Sequence, residues 1–387
     1  MMNLGKNSIH FTLILIVVVA ISLASGCSIG YYSQSISGHL SLMSSRVDIE
    51  DLLNDHNAPS DLKEKLQLVL QIREFASETL QLPKNDSYKS YVELDRKHVV
   101  WNVVAAPEFS MELDKWCFLI VGCVNYRGYF SEQDAQSFAE ALRAEGKDVY
   151  VPGVDAYSTL GWFDDPMLST LLRRSEPRLA GLVFHELAHQ LLYIKNDSAF
   201  NESFAKAVEI EGVHRWMQHR GTPKLSQLYA QQKQRNKQFV ELVKSTSETL
   251  KQLYAQDLPA ESMRRKKAEI YQQMQQSYGQ LKDSWQGYNG YDRWFAKDLN
   301  NAKLGTVGIY RDLVPAFQAL LQQHNGDLQA FYDAAKRLSK KPKEERTAEL
   351  NKLLQSAIVL NTRVKHPGVP LCGIHRNAGG CYYSLNR

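Results

Sequence analysis

Cysteine is scarce in this 387-residue chain: there are five, an odd number and too few for a disulfide scaffold. With only 12 Pro and 22 Gly, the chain fits neither a collagen-like repeat nor a low-complexity disordered segment. A surplus of one charge sign is also missing. Lys and Arg number 46 against 42 Asp and Glu, and the resulting +4 on 44.1 kDa gives no compositional reason to expect a nucleic-acid partner. Nor does an apolar stretch reach the ~20 residues that a membrane helix needs; Phe11 to Leu23 is roughly 13. What remains is an ordinary globular composition, 44% apolar and 23% charged, on a chain long enough for two or three domains.

The first 26 residues stand apart. Lys6 is the only Lys, Arg, Asp or Glu before Arg46, and it precedes the apolar stretch and the small residues Ala24-Ser25-Gly26. A basic start, a short apolar core and small residues at a cut site define a secretory signal peptide over 1–26, with an uncleaved anchor helix as the alternative. Ala24-Ser25-Gly26-Cys27 resembles the bacterial lipobox, which implies acylation of Cys27 and a stable lipid anchor, since one acyl chain is marginal and two suffice. Ser28, in place of the Asp that signals inner-membrane retention, resembles cargo sent to the outer membrane. The expectation is an envelope lipoprotein facing the periplasm, an oxidising compartment. Cys117 and Cys123 lie in an apolar run, 116–124, that reads as one buried strand. Six strand residues span about 20 Å, and a disulfide needs Cα atoms roughly 4.4–6.8 Å apart, so both are expected as unpaired core residues. Cys372 and Cys381 flank a Gly-rich turn that can fold back, which leaves a disulfide or two free thiols open.

Residues 27–60 read as a lipid-anchored tether merging into a first helix. An amphipathic helix is expected from Asp61 to Leu82, stopped by Pro83. Strands are expected at 99–105, 117–124 and 149–154, and a helix over 131–145 with Ser131 as its cap. Two apolar helices follow, 181–195 and 201–220. Strands first and helices after indicate an α+β core over 61–223. Residues 224–290 are polar and helix-favouring, broken only by Pro259, and predict a long helical hairpin. Its Arg264-Arg265-Lys266-Lys267 run is expected on a solvated face, a contact with anionic lipid or glycan being the sharper reading. Residues 291–387 predict a helical part that completes the cleft.

His185-Glu186-Leu187-Ala188-His189 is the H-E-x-x-H pattern inside an apolar helix. Residues four apart lie about 40° from each other around a helix, so both imidazoles face one point and can hold a zinc ion. Glu186 lies about 100° from His185, beside the metal rather than on it, where a carboxylate can take a proton from water. Zinc needs a third protein ligand and an open fourth position for catalysis. Glu202 lies at the start of the next helix in Asn201-Glu202-Ser203-Phe204-Ala205. H-E-x-x-H followed by N-E-x-x-A resembles the gluzincin metallopeptidases, and that resemblance implies that Glu202 is the third ligand. Glu209 faces the same way but lies roughly 10 Å further along. It is expected just outside the metal shell, steering a ligand histidine or a substrate amine.

The resemblance is wider than the metal motif. Gly30-Tyr31-Tyr32, Ser90-Tyr91, Val100-Trp101-Asn102-Val103-Val104-Ala105-Ala106-Pro107, Tyr126-Arg127-Gly128-Tyr129-Phe130, Ala156-Tyr157-Ser158-Thr159-Leu160-Gly161-Trp162-Phe163, Phe184–Gln190 and Phe200–Ala205 come in that order. Together they resemble the family of proteobacterial lipoproteins described as "Putative aminopeptidase". The resemblance implies a zincin-like core, one Zn2+ per chain held by His185, His189 and Glu202, Glu186 as general base, and a peptide substrate. The segment 117–129 is then a candidate substrate-pairing edge, with Arg127 meeting a substrate carboxylate. Tyr157 would wall the cleft, and Tyr310 would stabilise the oxyanion. Aminopeptidase is the first reading, envelope endopeptidase the enzymatic alternative, and a lipoprotein scaffold with structural zinc the non-enzymatic one. The helical arm offers a face to an envelope partner.

Overall fold

The computed structural model describes residues 30–118, 122–159, 163–221, 223–296, 299–307 and 313–365, with side chains as far as 355. Cys27, Tyr310, Cys372 and Cys381 lie outside the described residues. The chain opens with helix α1 (30–44). It continues through β1 (Val47–Asp48), α2 (Ile49–Asn54), α3 (Ser60–Glu78), β2 (Ser90–Val92), β3 (Val100–Pro107), β4 (Trp116–Phe118), β5 (Gly122–Val124) and β6 (Arg127–Tyr129). Next come α4 (Glu132–Ala144), β7 (Lys147–Tyr150), β8 (Gly153–Val154) and β9 (Met167–Leu168), then α5 (Glu176–Leu191) and α6 (Ser198–Arg220). The rest is helical: α7 (Pro223–Tyr254), α8 (Ala260–Ser284), α9 (Asp292–Phe295), α10 (Asn301–Gly305), α11 (Val314–Gln323), α12 (Leu328–Ser339) and α13 (Lys343–Lys365). The fold is mixed α+β, with small sheets and many helices.

β3 is the central strand of the main sheet. It pairs antiparallel with β6 through Trp101–Tyr129 and with β8 through Trp101–Gly153, so these two flank it on opposite edges. β7 pairs with its far half, Val104 against Tyr150. The single strand expected over 149–154 is thus two strands, because Pro152 has no N–H to give the ladder. Ser131 caps α4, its hydroxyl accepting from Asp134 N at 3.2 Å. α4 lays Ala135, Ala139 and Leu142 on the sheet face made by Val103, Ala105 and Val149. A smaller sheet orders β1, β2 and β9, the last two parallel.

The segment expected as a tether is folded from residue 30 onward. Leu42 and Ile49 are buried in the main core, and Gln34 Oε1 accepts from Phe130 N at 3.0 Å. α3 ends at Glu78, short of Pro83, because Leu80 and Leu82 turn inward and are buried.

The expected buried strand over 116–124 is also corrected. β4 and β5 are an antiparallel hairpin, with Cys117 directly opposite Cys123, Cα atoms 3.8 Å apart and the two joined by a disulfide. Gly122 takes φ +78°, and both cysteines are exposed. The span argument fails because the chain reverses direction between them.

α7 and α8 form the long hairpin, with a core of its own around Phe239, Val243, Leu250, Tyr271, Met274 and Tyr278. Two members of the basic run near its tip are tied to the sheet rather than simply solvated. Arg264 grips Glu108 at 2.7 and 3.0 Å, and Lys267 donates to Asp148 at 2.7 Å. Asn301, fully buried, donates its backbone N–H to Asp148 and accepts from the hydroxyls of Tyr254 and Tyr271.

The C-terminal helices reach the start of α6. Arg346 on α13 donates to Asp197 Oδ2 from Nη2 at 2.6 Å and from Nε at 2.8 Å, both side chains being more than nine-tenths buried. Asp197 Oδ1 meanwhile accepts from Phe200 N at 3.3 Å and caps α6. Removing one partner of a buried pair leaves an uncompensated charge. Arg346→Ala should therefore lower the stability of the protein by about 3–5 kcal/mol, read as a shift in the urea unfolding midpoint. A loss under 1 kcal/mol would show that water reaches Asp197 and that the pair is not the tie described.

Candidate metal centre

α5 and α6 are joined by six residues and pack antiparallel at close range. A methyl group added at Gly212 would meet Phe184 Cδ2 at 2.7 Å and Leu80 Cδ1 at 2.8 Å. Glycine at this position therefore permits the approach. The loop between the helices is clamped by Asn201, whose side-chain amide donates to Ile194 O at 2.7 Å and accepts from Ile194 N at 2.8 Å. This gives the Asn of the N-E pair its physical role: it fixes the first turn of α6 against the end of α5.

The clamp sets Glu202 opposite the two histidines. His185 Nε2 and His189 Nε2 stand 3.1 Å apart, Glu202 Oε2 is 3.4 Å from the first and Glu202 Oε1 3.5 Å from the second. Metal–ligand bonds of about 2.0–2.1 Å at tetrahedral angles place ligand atoms ~3.3 Å apart, so the spacing fits zinc. The donor set, two imidazole nitrogens and one carboxylate, also fits. Among the described residues this is the one group of three or more His, Cys, Asp or Glu side chains positioned to hold a metal.

Glu209 stands behind His185, with Oε2 3.2 Å from Nδ1, an ion-pair distance that lies off the line of a ring N–H hydrogen bond. Lys206 binds its other oxygen. Burial would raise the Glu209 pKa, but His185 and Lys206 outweigh it and hold it down at about 2. Burial likewise disfavours protonated His185, yet Glu202 and Glu209 carry its pKa up to about 10. His189, pressed by burial and by the neighbouring His185, falls to about 4. Glu186 is raised above the ordinary carboxylate range by burial, an effect that His185 opposes and Glu202 reinforces.

The cleft over this cluster encloses about 290 Å³ and is lined by Val124, Tyr126, Ala156, Ser158 and Tyr193 together with Glu186. Val124 belongs to the disulfide hairpin, which is fastened to the α5–α6 loop by Cys123 N donating to Asn196 Oδ1 at 3.1 Å. Two expected cleft residues are placed elsewhere. The Arg127 guanidinium lies 4.1 Å from the Tyr31 ring and 4.6 Å from the Phe138 ring, on the α4 side of the sheet. Strand alternation decides this: Arg127 shares its face with Tyr129. The Tyr157 hydroxyl is 3.2 Å from His39 Nδ1, with its ring against Phe130, and burial pushes its pKa up to about 12.

The neighbours Ala156 and Ser158 line the cleft in its place. Val124 and Tyr126 come from the expected 117–129 edge, whereas Ser158 and Tyr193 were not among the expected cleft residues. Tyr193 falls four residues after His189 in the helix expected over 181–195, but in the structure it lies past the end of α5 at Leu191.

The fold and the cluster together define an α+β protein with a His–His–Glu site in a polar cleft. The chain belongs to the family described as "Putative aminopeptidase", which matches residues 30–350. That membership makes peptidase activity the class of function to be tested. No curated protein and no solved structure matches the chain.

The geometry separates two carboxylates on one helix. Glu202→Ala should lose zinc during dialysis against a weak chelator. Glu209→Ala should keep it and lose activity by roughly 10–100-fold, the effect of removing a carboxylate that orients a ligand histidine. Equal zinc retention by the two variants, read by elemental analysis, would remove Glu202 from the ligand set.

Proposed function

We propose that the protein is a zinc-dependent, gluzincin-type aminopeptidase with a zincin-like core, anchored by lipid on Cys27 and working in the periplasm, at the outer membrane. The observation that carries the catalytic reading is the convergence of His185 Nε2, His189 Nε2 and a Glu202 carboxylate at distances of 3.1–3.5 Å beneath an open cleft, with Glu186 beside them. A zinc ion held by those three residues supplies Lewis acidity toward a peptide carbonyl and acidifies a water.

The remaining steps belong to the chain's own side chains. Glu186 accepts the proton from the attacking water on its carboxylate and returns it to the leaving amine nitrogen. Its raised pKa suits both transfers, because a carboxylate that holds a proton more tightly is a better base and still a competent acid. Ser158 lines the cleft with Glu186. Glu209 holds the His185 ring from behind, and its carboxylate favours the orientation that presents Nε2 to the cleft. Tyr193, whose pKa is raised by burial and by Glu202, stands at the cleft wall with a hydroxyl able to donate to a developing oxyanion.

Glu186→Gln retains the shape of the side chain but cannot accept a proton. It should bind zinc one to one and hydrolyse peptides at least 10²-fold more slowly, the low end for loss of a general base. Assays on a free-amine peptide and its N-blocked twin complete the test. Cleavage of the free peptide alone supports the aminopeptidase, cleavage of both makes the protein an endopeptidase, and cleavage of neither by zinc-loaded protein leaves a scaffold.

The anchor rests on the lipobox resemblance of Ala24-Ser25-Gly26-Cys27. No helix among the described residues is long and apolar enough to cross a membrane. Cys27→Ala should move the protein from the membrane pellet to the soluble fraction after a high-salt wash. Retention in the pellet would mean that another surface or the 11–23 stretch holds it.

A further inference from the structure

A second cavity, of about 630 Å³, lies between the catalytic core and the helical arm. Its core side comes from Lys97, His98, Asp155 and the segment that leads into α5, and its arm side from Gln232 on α7, Tyr288 and Arg293 on α9. Its charge is lopsided. Lys97, Arg173, Arg174, Arg178 and Arg293 surround it with five full positive charges, and Asp155 is the one carboxylate in its lining. Asp155 is already engaged, by His98 Nδ1 at 2.7 Å and by Arg174 Nη2 at 3.7 Å. Among the described residues, Lys97, Arg173, Arg178 and Arg293 form no ion pair.

Arg174 shows the strain of the arrangement. Its Nε is sealed from solvent and makes no hydrogen bond, and burial, with Arg178 beside it adding to the effect, pulls its pKa down. Five like charges around one cavity also repel one another. That repulsion is relieved if an anion of matching charge enters.

We infer that this cavity is a binding site for a ligand carrying two phosphate groups, a diphosphate or a bisphosphorylated headgroup, held between the core and the arm. The charge count chooses the ligand. Five cations against one carboxylate leave four charges to balance, and each phosphate carries about −1.5 to −2 at neutral pH. A single carboxylate would leave most of the repulsion in place. Guanidinium forks match phosphate oxygens two at a time, and four of the five cations are arginines.

Because Arg293 stands on the arm and the other four on the core, the bound ligand cross-links the two. It would also reach the catalytic cleft indirectly, since Asp155 lies between Val154 and Ala156, both of which line that cleft. The inference does not depend on the peptidase reading.

The test is calorimetry of diphosphate against the full chain after chelator dialysis, in a Glu202→Ala background so that the metal centre cannot bind the anion. One saturable site is expected, with orthophosphate at least tenfold weaker. Affinity should fall at least tenfold in Arg174→Gln/Arg178→Gln and about threefold in Arg293→Gln. The latter residue is exposed on the arm, so its replacement leaves the core intact should the double variant misfold. Flotation of the Cys27→Ala form, which has no acylation site, with phosphatidylcholine vesicles, plain or doped with a bisphosphorylated lipid, separates the sources. Flotation only with the doped vesicles, lost in the arginine variants, assigns a headgroup; diphosphate binding without flotation assigns a soluble ligand. Binding that survives the arginine substitutions, equal affinity for orthophosphate, or no saturable binding in either format would overturn the inference.

Discussion

The close antiparallel packing of α5 on α6 is the constraint on which the rest depends. His185 and His189 can share a point only because they sit four apart on α5, and that geometry is local. The third side of the cluster is not local. It needs α6 near enough for a short glutamate to reach both Nε2 atoms, which Gly212 permits sterically and the Asn201 clamp enforces. Asp197, five residues before Glu202, is held in turn by Arg346 from α13. The C-terminal helices therefore support the position of a residue at the cluster rather than forming an independent lobe.

Charge is partitioned along the same part of the fold. The metal cleft gathers Glu186, Glu202 and Glu209 around two imidazoles, a field that favours a cation. The neighbouring cavity gathers arginines and a lysine, a field that favours an anion. Asp155 and its two neighbours separate them. Elsewhere the arm is fastened to the sheet by Arg264 and Lys267, so residues that look like a solvated charge run in the sequence carry contacts between distant elements in the fold.

Legibility followed the range of the interaction. The cap at Ser131, the breaker at Pro259 and the left-handed Gly221 that ends α6 act within a few residues, and the helices they bound lie where the sequence places them. The hairpin β4–β5 does not. An apolar run whose one turn residue is Gly122 reads as a single strand, yet β4 and β5 pair antiparallel and bring Cys117 to Cys123. Arg127 and Tyr157 were chosen for their chemistry, but the face a strand residue presents depends on register and on which layer covers it. Arg127 lies under Tyr31 and Phe138, and Tyr157 beside His39. Ser158, one residue on, had no chemical signal in the sequence to distinguish it.

The sequence by itself determined the α+β class, the long helical hairpin and the pairing of His185 with His189 on one helical face. All of these follow from periodicity, caps and breakers that act over one or two turns of chain. Only the tertiary structure decided that Glu202 meets both histidines while Glu209 meets His185 from behind. It also decided that five basic residues from separated segments converge on one cavity. Distances between side chains on different elements depend on how those elements pack, and packing is set by the whole core at once, by residues such as Phe184, Phe204 and Trp216 that carry no chemistry of their own.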